Sequence, residues 1–160
     1  MRRPARPLAL CLAALLLSLS GASAETAEVR RVIDGDTFET RQGHRVRLIG
    51  VDAPEYRPWD DIAEPYGREA GSRLRQLIGG KRVRLEKDVS EYDRYGRLLR
   101  YVYDEQGVFI NETLVREGLA EARAYRPDIA RQKRLDRAER EARGGRKGLW
   151  SVATSDDAKA

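Results

Sequence analysis

Between residues 28 and 52 the chain alternates apolar and polar side chains, and short turn signals cut that alternation into three pieces. Glu28-Val29-Arg30-Arg31-Val32-Ile33-Asp34 opens as a strand, and Asp34-Gly35-Asp36 turns it. Thr37-Phe38-Glu39-Thr40 resumes β character, and Arg41-Gln42-Gly43-His44 is a second turn. In residues 45–52, Val46 and Leu48 alternate with Arg45 and Arg47, so one face is apolar and the other carries guanidinium groups. Three short strands joined by tight turns make an antiparallel meander, and the remainder of the chain must complete a sheet around it.

Ala53-Pro54 ends the meander, and residues 56–63 read as a loop. Ala70, Leu74, Leu77 and Ile78 recur at helical spacing over 64–78, and Gly79-Gly80 stops the helix. Residues 81–86 and 97–103 alternate again, with a polar loop from 90 to 96 between them. Residues 108–110 read as a short further strand. Asn111 stands where an N-cap would begin a short helix over 112–117, ended by Gly118. Pro127-Asp128 opens a last helix to about Arg143, charged on most faces, and Leu149-Trp150 forms an apolar peg. These elements predict an α+β fold, mainly β: a five-stranded OB-type barrel with about three helices.

The first 24 residues are of another kind. Arg2, Arg3 and Arg6 precede an apolar run from Leu8 to Leu19, and Ala22-Ser23-Ala24 supplies small residues. This is the pattern of a cleaved export signal, too short to span a bilayer as a helix. We therefore expect a signal segment at 1–24, one domain at 25–151 and a frayed tail at 152–160. The expected product is exported, periplasmic or extracellular, monomeric and without stable membrane association. The whole chain has 31 Lys+Arg against 26 Asp+Glu, a net charge of +5, but losing three arginines with the signal leaves only +2. Bulk charge is therefore a weak pointer to a polyanion. The excess is local: residues 121–147 hold ten Lys/Arg against five Asp/Glu.

One His and one Cys exclude a His/Cys zinc site, an iron–sulfur cluster and a disulfide framework. His44 sits in a turn and is expected to be exposed. Chemistry must then come from carboxylates, arginines and an oxygen-preferring cation. Asp36 stands at the head of the second strand and Asp52 at the tail of the third, and antiparallel neighbours bring such positions together. Arg47 lies five positions before Asp52, which in a regular strand would place the two on opposite faces. Gly50 offers a bulge that corrects the parity. Clustered acids repel unless a cation offsets them, and Ca²⁺ takes six to eight oxygen ligands including water. Asp93-Arg94-Tyr95-Gly96-Arg97 is a second feature, because a guanidinium fork suits a phosphodiester.

Taken with Tyr66-Gly67 and Asn111-Glu112-Thr113-Leu114-Val115-Arg116-Glu117-Gly118, the segments 32–37, 46–55 and 93–97 resemble the staphylococcal nuclease (thermonuclease) family over roughly residues 27–151. That resemblance implies an OB-fold, Ca²⁺-dependent nuclease acting on DNA and RNA, single-stranded or locally open, and leaving 3′-phosphate ends. It implies Asp36 and Asp52 as carboxylate ligands of Ca²⁺, with the backbone carbonyl of Ala53. It implies Glu55 as general base or water-orienting group, and Arg47 and Arg97 as phosphate and transition-state ligands. Arg94 and Tyr95 would hold a neighbouring phosphate, and Tyr125 would lie at the nucleotide pocket. The chain departs from the family pattern at Ala53, where Thr is usual, at Arg123, where a stacking Tyr is expected, and in the acidic loop 56–63.

Two other functions compete. A non-catalytic OB module could bind oligonucleotides or a protein partner, since a fold does not imply hydrolysis. An exported sugar-binding barrel would present exposed aromatic side chains. The joint presence of Asp36, Arg47, Asp52, Glu55 and Arg97 favours the enzyme.

Overall fold

A computed structural model describes residues 25–57 and 62–151. The expected export segment, the loop residues Trp59, Asp60 and Asp61, and the expected tail after Ser151 lie outside the described residues. The elements in chain order are β1 (Glu25–Val32), β2 (Thr37–Thr40), β3 (Arg45–Leu48), β4 (Val51–Asp52), β5 (Tyr56–Arg57), β6 (Ile62–Ala63), α1 (Gly67–Ile78), β7 (Arg82–Glu86), β8 (Leu98–Tyr103), α2 (Ile110–Arg116), β9 (Glu121–Ala122) and α3 (Gln132–Gly144).

Five strands close a barrel in the order β1-β2-β3-β8-β7, and the fold is α+β with an OB-type barrel as expected. The meander supplies the antiparallel pairs β1–β2 and β2–β3. Closure needs two long-range pairings: β1 with β7, antiparallel, and β3 with β8, parallel. Alternate residues point inward, so Val29, Phe38, Val46, Leu48, Val83 and Tyr101 fill the barrel, with Leu74 and Ile78 of α1 and Ile110 and Leu114 of α2 in the same cluster.

Several boundaries moved from their expected places. The strand over 45–52 divides at Gly50, whose φ of 73° is left-handed, and β4 then pairs with β9 instead of continuing the barrel. α1 begins at Gly67 rather than Glu64. The Glu64 N–H donates to the Glu55 carbonyl, and a Cβ at Gly67 would stand 2.6 Å from that same carbonyl oxygen. Only Phe109 of 108–110 bridges to Tyr103, because Ile110 already starts α2.

Asn111 is not a cap. It lies fully buried inside α2, its Oδ1 accepting from the Val102 N–H at 2.9 Å and its Nδ2 donating to the Ile49 carbonyl at 2.9 Å. α3 starts at Gln132, four residues later than Asp128. The Asp128 carboxylate is occupied by the N–H groups of Val89 and Ser90, at 3.0 and 2.7 Å. The C-terminal peg docks as expected: the Leu149 N–H donates to the Gly118 carbonyl at 2.8 Å, and Arg143 stacks on Trp150.

Candidate active site

The turn that carries Asp36 is seated against α1. A Cβ on Gly35 would stand 2.5 Å from the Ala53 methyl and 2.7 Å from the Ala70 methyl, so only glycine admits that approach. Asp34 Oδ1 accepts the Asp36 N–H at 3.0 Å, fixing the turn. Asp36 is thereby buried. Its Oδ1 accepts from the Thr37 hydroxyl at 2.9 Å, and its Oδ2 accepts from the Ala53 N–H at 2.9 Å.

Arg47 joins the two acids. Its Nη1 lies 2.6 Å from Asp36 Oδ2 and donates to the Val51 carbonyl at 2.7 Å, while Nη2 lies 3.1 Å from Asp52 Oδ1. The left-handed step at Gly50 turns the chain back so that Val51 and Asp52 face the side chain of Arg47. The bulge expected from parity is thus a true break of the strand. Arg123, on the segment after β9, approaches the other oxygen of Asp52 at 3.5 Å and also pairs with Glu121 at 3.0 Å.

Burial pushes the Asp36 carboxyl up to about 7, against the pull of the Arg47 guanidinium, and the neighbouring Asp34 adds to the rise. A buried carboxyl raised in this way is short of positive charge. Two carboxylates within the span of one guanidinium, together with backbone carbonyls, form an all-oxygen donor set that fits a hard divalent cation completed by water. Among the described residues no group of three or more His, Cys, Asp or Glu side chains converges as a closed metal cage. Ala53 enters the site through its N–H; its methyl packs on Gly35, where a larger side chain would crowd the turn.

Arg47 also lines a cleft of about 600 Å³, shared with Arg94, Tyr95, Arg97, Tyr125 and Arg126. Five of the expected site residues therefore meet in one cavity. Asp93 builds its far wall, with Oδ1 accepting the N–H groups of Tyr95 and Arg97 at 2.9 and 3.0 Å and Oδ2 lying 2.6 Å from Arg97 Nε. Burial resists ionisation of Asp93, but these donors win, and its carboxyl is held below the usual range. Arg94 donates to the Tyr95 hydroxyl at 2.6 Å and lies over its ring, and Arg97 flanks the same ring at 5.4 Å.

Glu55 stands slightly apart. Its N–H donates to Glu64 Oε2 at 2.9 Å, and its half-exposed carboxylate pairs with Arg57 at 3.3 Å. Among the described residues no hydrogen bond or ion pair joins it to Asp36, Arg47 or Asp52. It follows Asp52-Ala53-Pro54 directly in the chain.

Sequence reasoning missed two residues of the cleft and the positioning role of a third. Tyr92 lines the cleft and is 58% exposed, so with Tyr95 and Tyr125 it makes three exposed rings at one cavity despite an aromatic content of 7%. Asp128 ties the 125–130 turn to the loop at 89–90 across the cleft. Neither had a local signal, because each works through residues distant in sequence. Asp93 did have one: Asp followed three residues later by Gly is a turn signature. His44 is exposed in its turn, as expected.

A closed five-stranded barrel with an arginine- and tyrosine-lined cleft, one of whose arginines, Arg47, reaches back to the paired carboxylates Asp36 and Asp52, defines an OB-fold domain with a basic cleft. Residues 45–152 match the family described as staphylococcal nuclease homologue, and the chain belongs to that family. It is 42% identical to a thermonuclease of Staphylococcus hyicus over 136 residues, covering 83% of this chain and 80% of the relative. It is similarly 40% identical to a thermonuclease of Staphylococcus intermedius over 129 residues, covering 79% and 76%. A protein of Escherichia coli O157:H7 described as an uncharacterized endonuclease is 37% identical over 129 residues, covering 78% and 76%.

Proposed function

We propose that this chain is an exported, Ca²⁺-dependent nuclease that hydrolyses phosphodiester bonds of DNA and RNA and leaves 3′-phosphate ends. The observation that carries this reading is Arg47, held between Asp36 and Asp52 at 2.6 and 3.1 Å on the wall of the cleft that Arg97 also lines. One guanidinium thus faces a cation site and an anion site at once.

Ca²⁺, held by Asp36, Asp52 and the Ala53 carbonyl with water, would supply charge neutralisation at the scissile phosphate. The chain's own residues do the rest. Arg47 and Arg97 bind the non-bridging phosphate oxygens, and their grip strengthens as negative charge builds in the transition state. Glu55 accepts a proton from the attacking water or holds that water in line. The phosphorus–O5′ bond breaks, the 5′ oxygen takes a proton from solvent, and the phosphate remains on the 3′ side. Arg94 and Tyr95 hold the adjacent phosphate, and Tyr125 with Tyr92 offers rings on which bases stack. Three exposed rings would also suit a sugar, but four cleft guanidinium groups, Arg47, Arg94, Arg97 and Arg126, favour an anionic ligand.

The test is incubation of denatured DNA and of RNA with the chain from Glu25 onward, with Ca²⁺ or with EDTA, beside a Glu55→Ser variant. Ca²⁺-dependent cleavage to 3′-phosphate ends is expected, with Glu55→Ser binding DNA but cutting it far more slowly. Binding without cleavage under any condition would overturn the enzymatic reading in favour of a non-catalytic OB module. Cell fractionation and N-terminal sequencing test export: the exported protein should begin at Glu25.

A further inference from the structure

We propose that the solvent face of α3 is a track for the phosphate backbone of the substrate strand outside the cleft, read through Lys133, Arg137 and Arg140. This rests on the nuclease reading above. The observation behind it is an imbalance visible only once ion pairs are assigned. In the stretch 121–147 every acid is engaged within the chain. Glu121 pairs with Arg123, and Asp128 takes two backbone N–H groups. Asp136 accepts from the Gln132 amide, and Glu139 and Glu141 pair with Arg143 and Arg116. Lys133, Arg137 and Arg140 are exposed, and among the described residues none has an acidic partner. Arg131 and Arg134 pair with Glu86 and Glu112, whereas Lys133, Arg137 and Arg140 share one helix face without an acid paired to them; Asp136 beside them keeps its charge, being bonded to a neutral amide.

Helix geometry sets that face. Leu135, Ala138 and Ala142 are the buried side of α3. At about 100° per residue, positions 133, 137 and 140 point the opposite way, about 6 and 4.5 Å apart along the axis. A strand crossing the face meets more than one cation.

Arg126 lines the cavity, and the chain runs from there directly into α3. The helix abuts the cavity wall at Gly50 through its buried side, where a Cβ would stand 2.4 Å from Leu135 Cδ1, so a strand leaving the cleft past Arg126 must round the helix to meet Lys133, Arg137 and Arg140. The three cations carry no apolar side chain between them, so the face lacks the Trp, Phe or Leu wedge of a helix that lies in a membrane. A repeating, fully solvated anion is the ligand that such a face fits.

The test compares wild type with K133S/R137S/R140S on a long single-stranded DNA and on a trinucleotide that fills the cleft alone. The long-strand KM should rise about 5- to 10-fold at low salt, and its logarithmic salt slope should shrink by about 2, the change expected when three cations no longer neutralise phosphates of a single strand. Trinucleotide kinetics and kcat should stay at wild-type values, and K133R/R137K/R140K, which keeps the charges, should retain the slope. Anisotropy of a labelled 30-mer in EDTA reads the same slope without turnover. Should wild type cleave neither substrate, the nuclease reading fails, and the anisotropy slope still decides the α3 track. Unchanged long-strand KM and slope in the triple serine variant would overturn the track. So would loss of binding to phosphatidylglycerol vesicles with DNA binding intact.

Discussion

Arg47 Nη1 lies 2.6 Å from Asp36 Oδ2, and this pair is the hinge between the fold and the site. Asp36 is buried behind it, and Asp52 is held by the other nitrogen of the same guanidinium at 3.1 Å. Arg47→Ala should therefore have two separable effects. Stability should fall by about 1–3 kcal/mol near neutral pH, because the Val51 carbonyl loses its donor while Asp36, already raised to about 7, takes up a proton in place of its cation. The kcat of the folded fraction should fall by about 10²–10³, the usual cost of one charge-assisted bond to the transition state. Denaturant unfolding and single-turnover kinetics read the two separately. Wild-type values in both would remove Arg47 from structure and mechanism alike.

Asp93 holds Arg97 through two bonds, one to its backbone N–H and one to the guanidinium itself. Arg97→Ala should lower kcat by about 10²–10³. Asp93→Ala should approach that loss with Arg97 still present, since a misplacement of about 1 Å can cost on the order of 10²-fold. Stopped-flow cleavage with chemical rescue by guanidinium separates the cases: rescue is expected for Arg97→Ala and not for Asp93→Ala.

Asn111 satisfies two buried backbone groups, the Val102 N–H and the Ile49 carbonyl. Asn111→Leu removes the amide and leaves both unmet, at about 1–3 kcal/mol each. Urea unfolding should show a lower midpoint with an unchanged m value. A midpoint equal to wild type would mean that water or a rearranged strand replaces the amide.

Glu112 is a buried acid between Arg116, at 2.7 Å, and Arg134. Burial alone would raise its carboxyl, but the bonds from Arg134 and Arg116 outweigh burial and hold it below the ordinary value of 4.5. The folded state thus binds this proton less readily than the unfolded chain. The contribution is complete above about pH 5 and is lost as pH falls through the depressed value. Glu112→Gln should remove that part of the acid destabilisation, so its stability difference from wild type narrows between about pH 5 and about pH 3. A constant difference over that interval would show that Glu112 does not titrate with folding.

Local pattern in the sequence carried a good deal. Alternation at Val46 and Leu48, the Gly79-Gly80 stop and the Leu149-Trp150 peg each depend on neighbours within a turn or two. Those elements stand where the residues indicate. The site segments were legible for the same reason: the Asp34–Asp36 turn and the Asp93–Arg97 turn are short, self-contained conformations. Gly50 was legible as a bulge, but not as a full break of the strand, nor in its consequence, the pairing of β4 with β9.

What the local pattern could not determine is where a polar side chain spends its hydrogen bonds. Asn111 reads as a cap, yet it sits within α2 because strand β8 and the Ile49 carbonyl need its amide. Asp128 reads as the start of a helix, yet its carboxylate is committed to Val89 and Ser90, and α3 waits until Gln132. The acids of 121–147 look like half of a mixed-charge surface until their internal partners are known. Residue type and spacing determine secondary structure and the chemistry on offer. Barrel closure decides which of those charges are used up inside the fold and which are left to meet a ligand, because only long-range packing brings distant donors and acceptors within bonding distance.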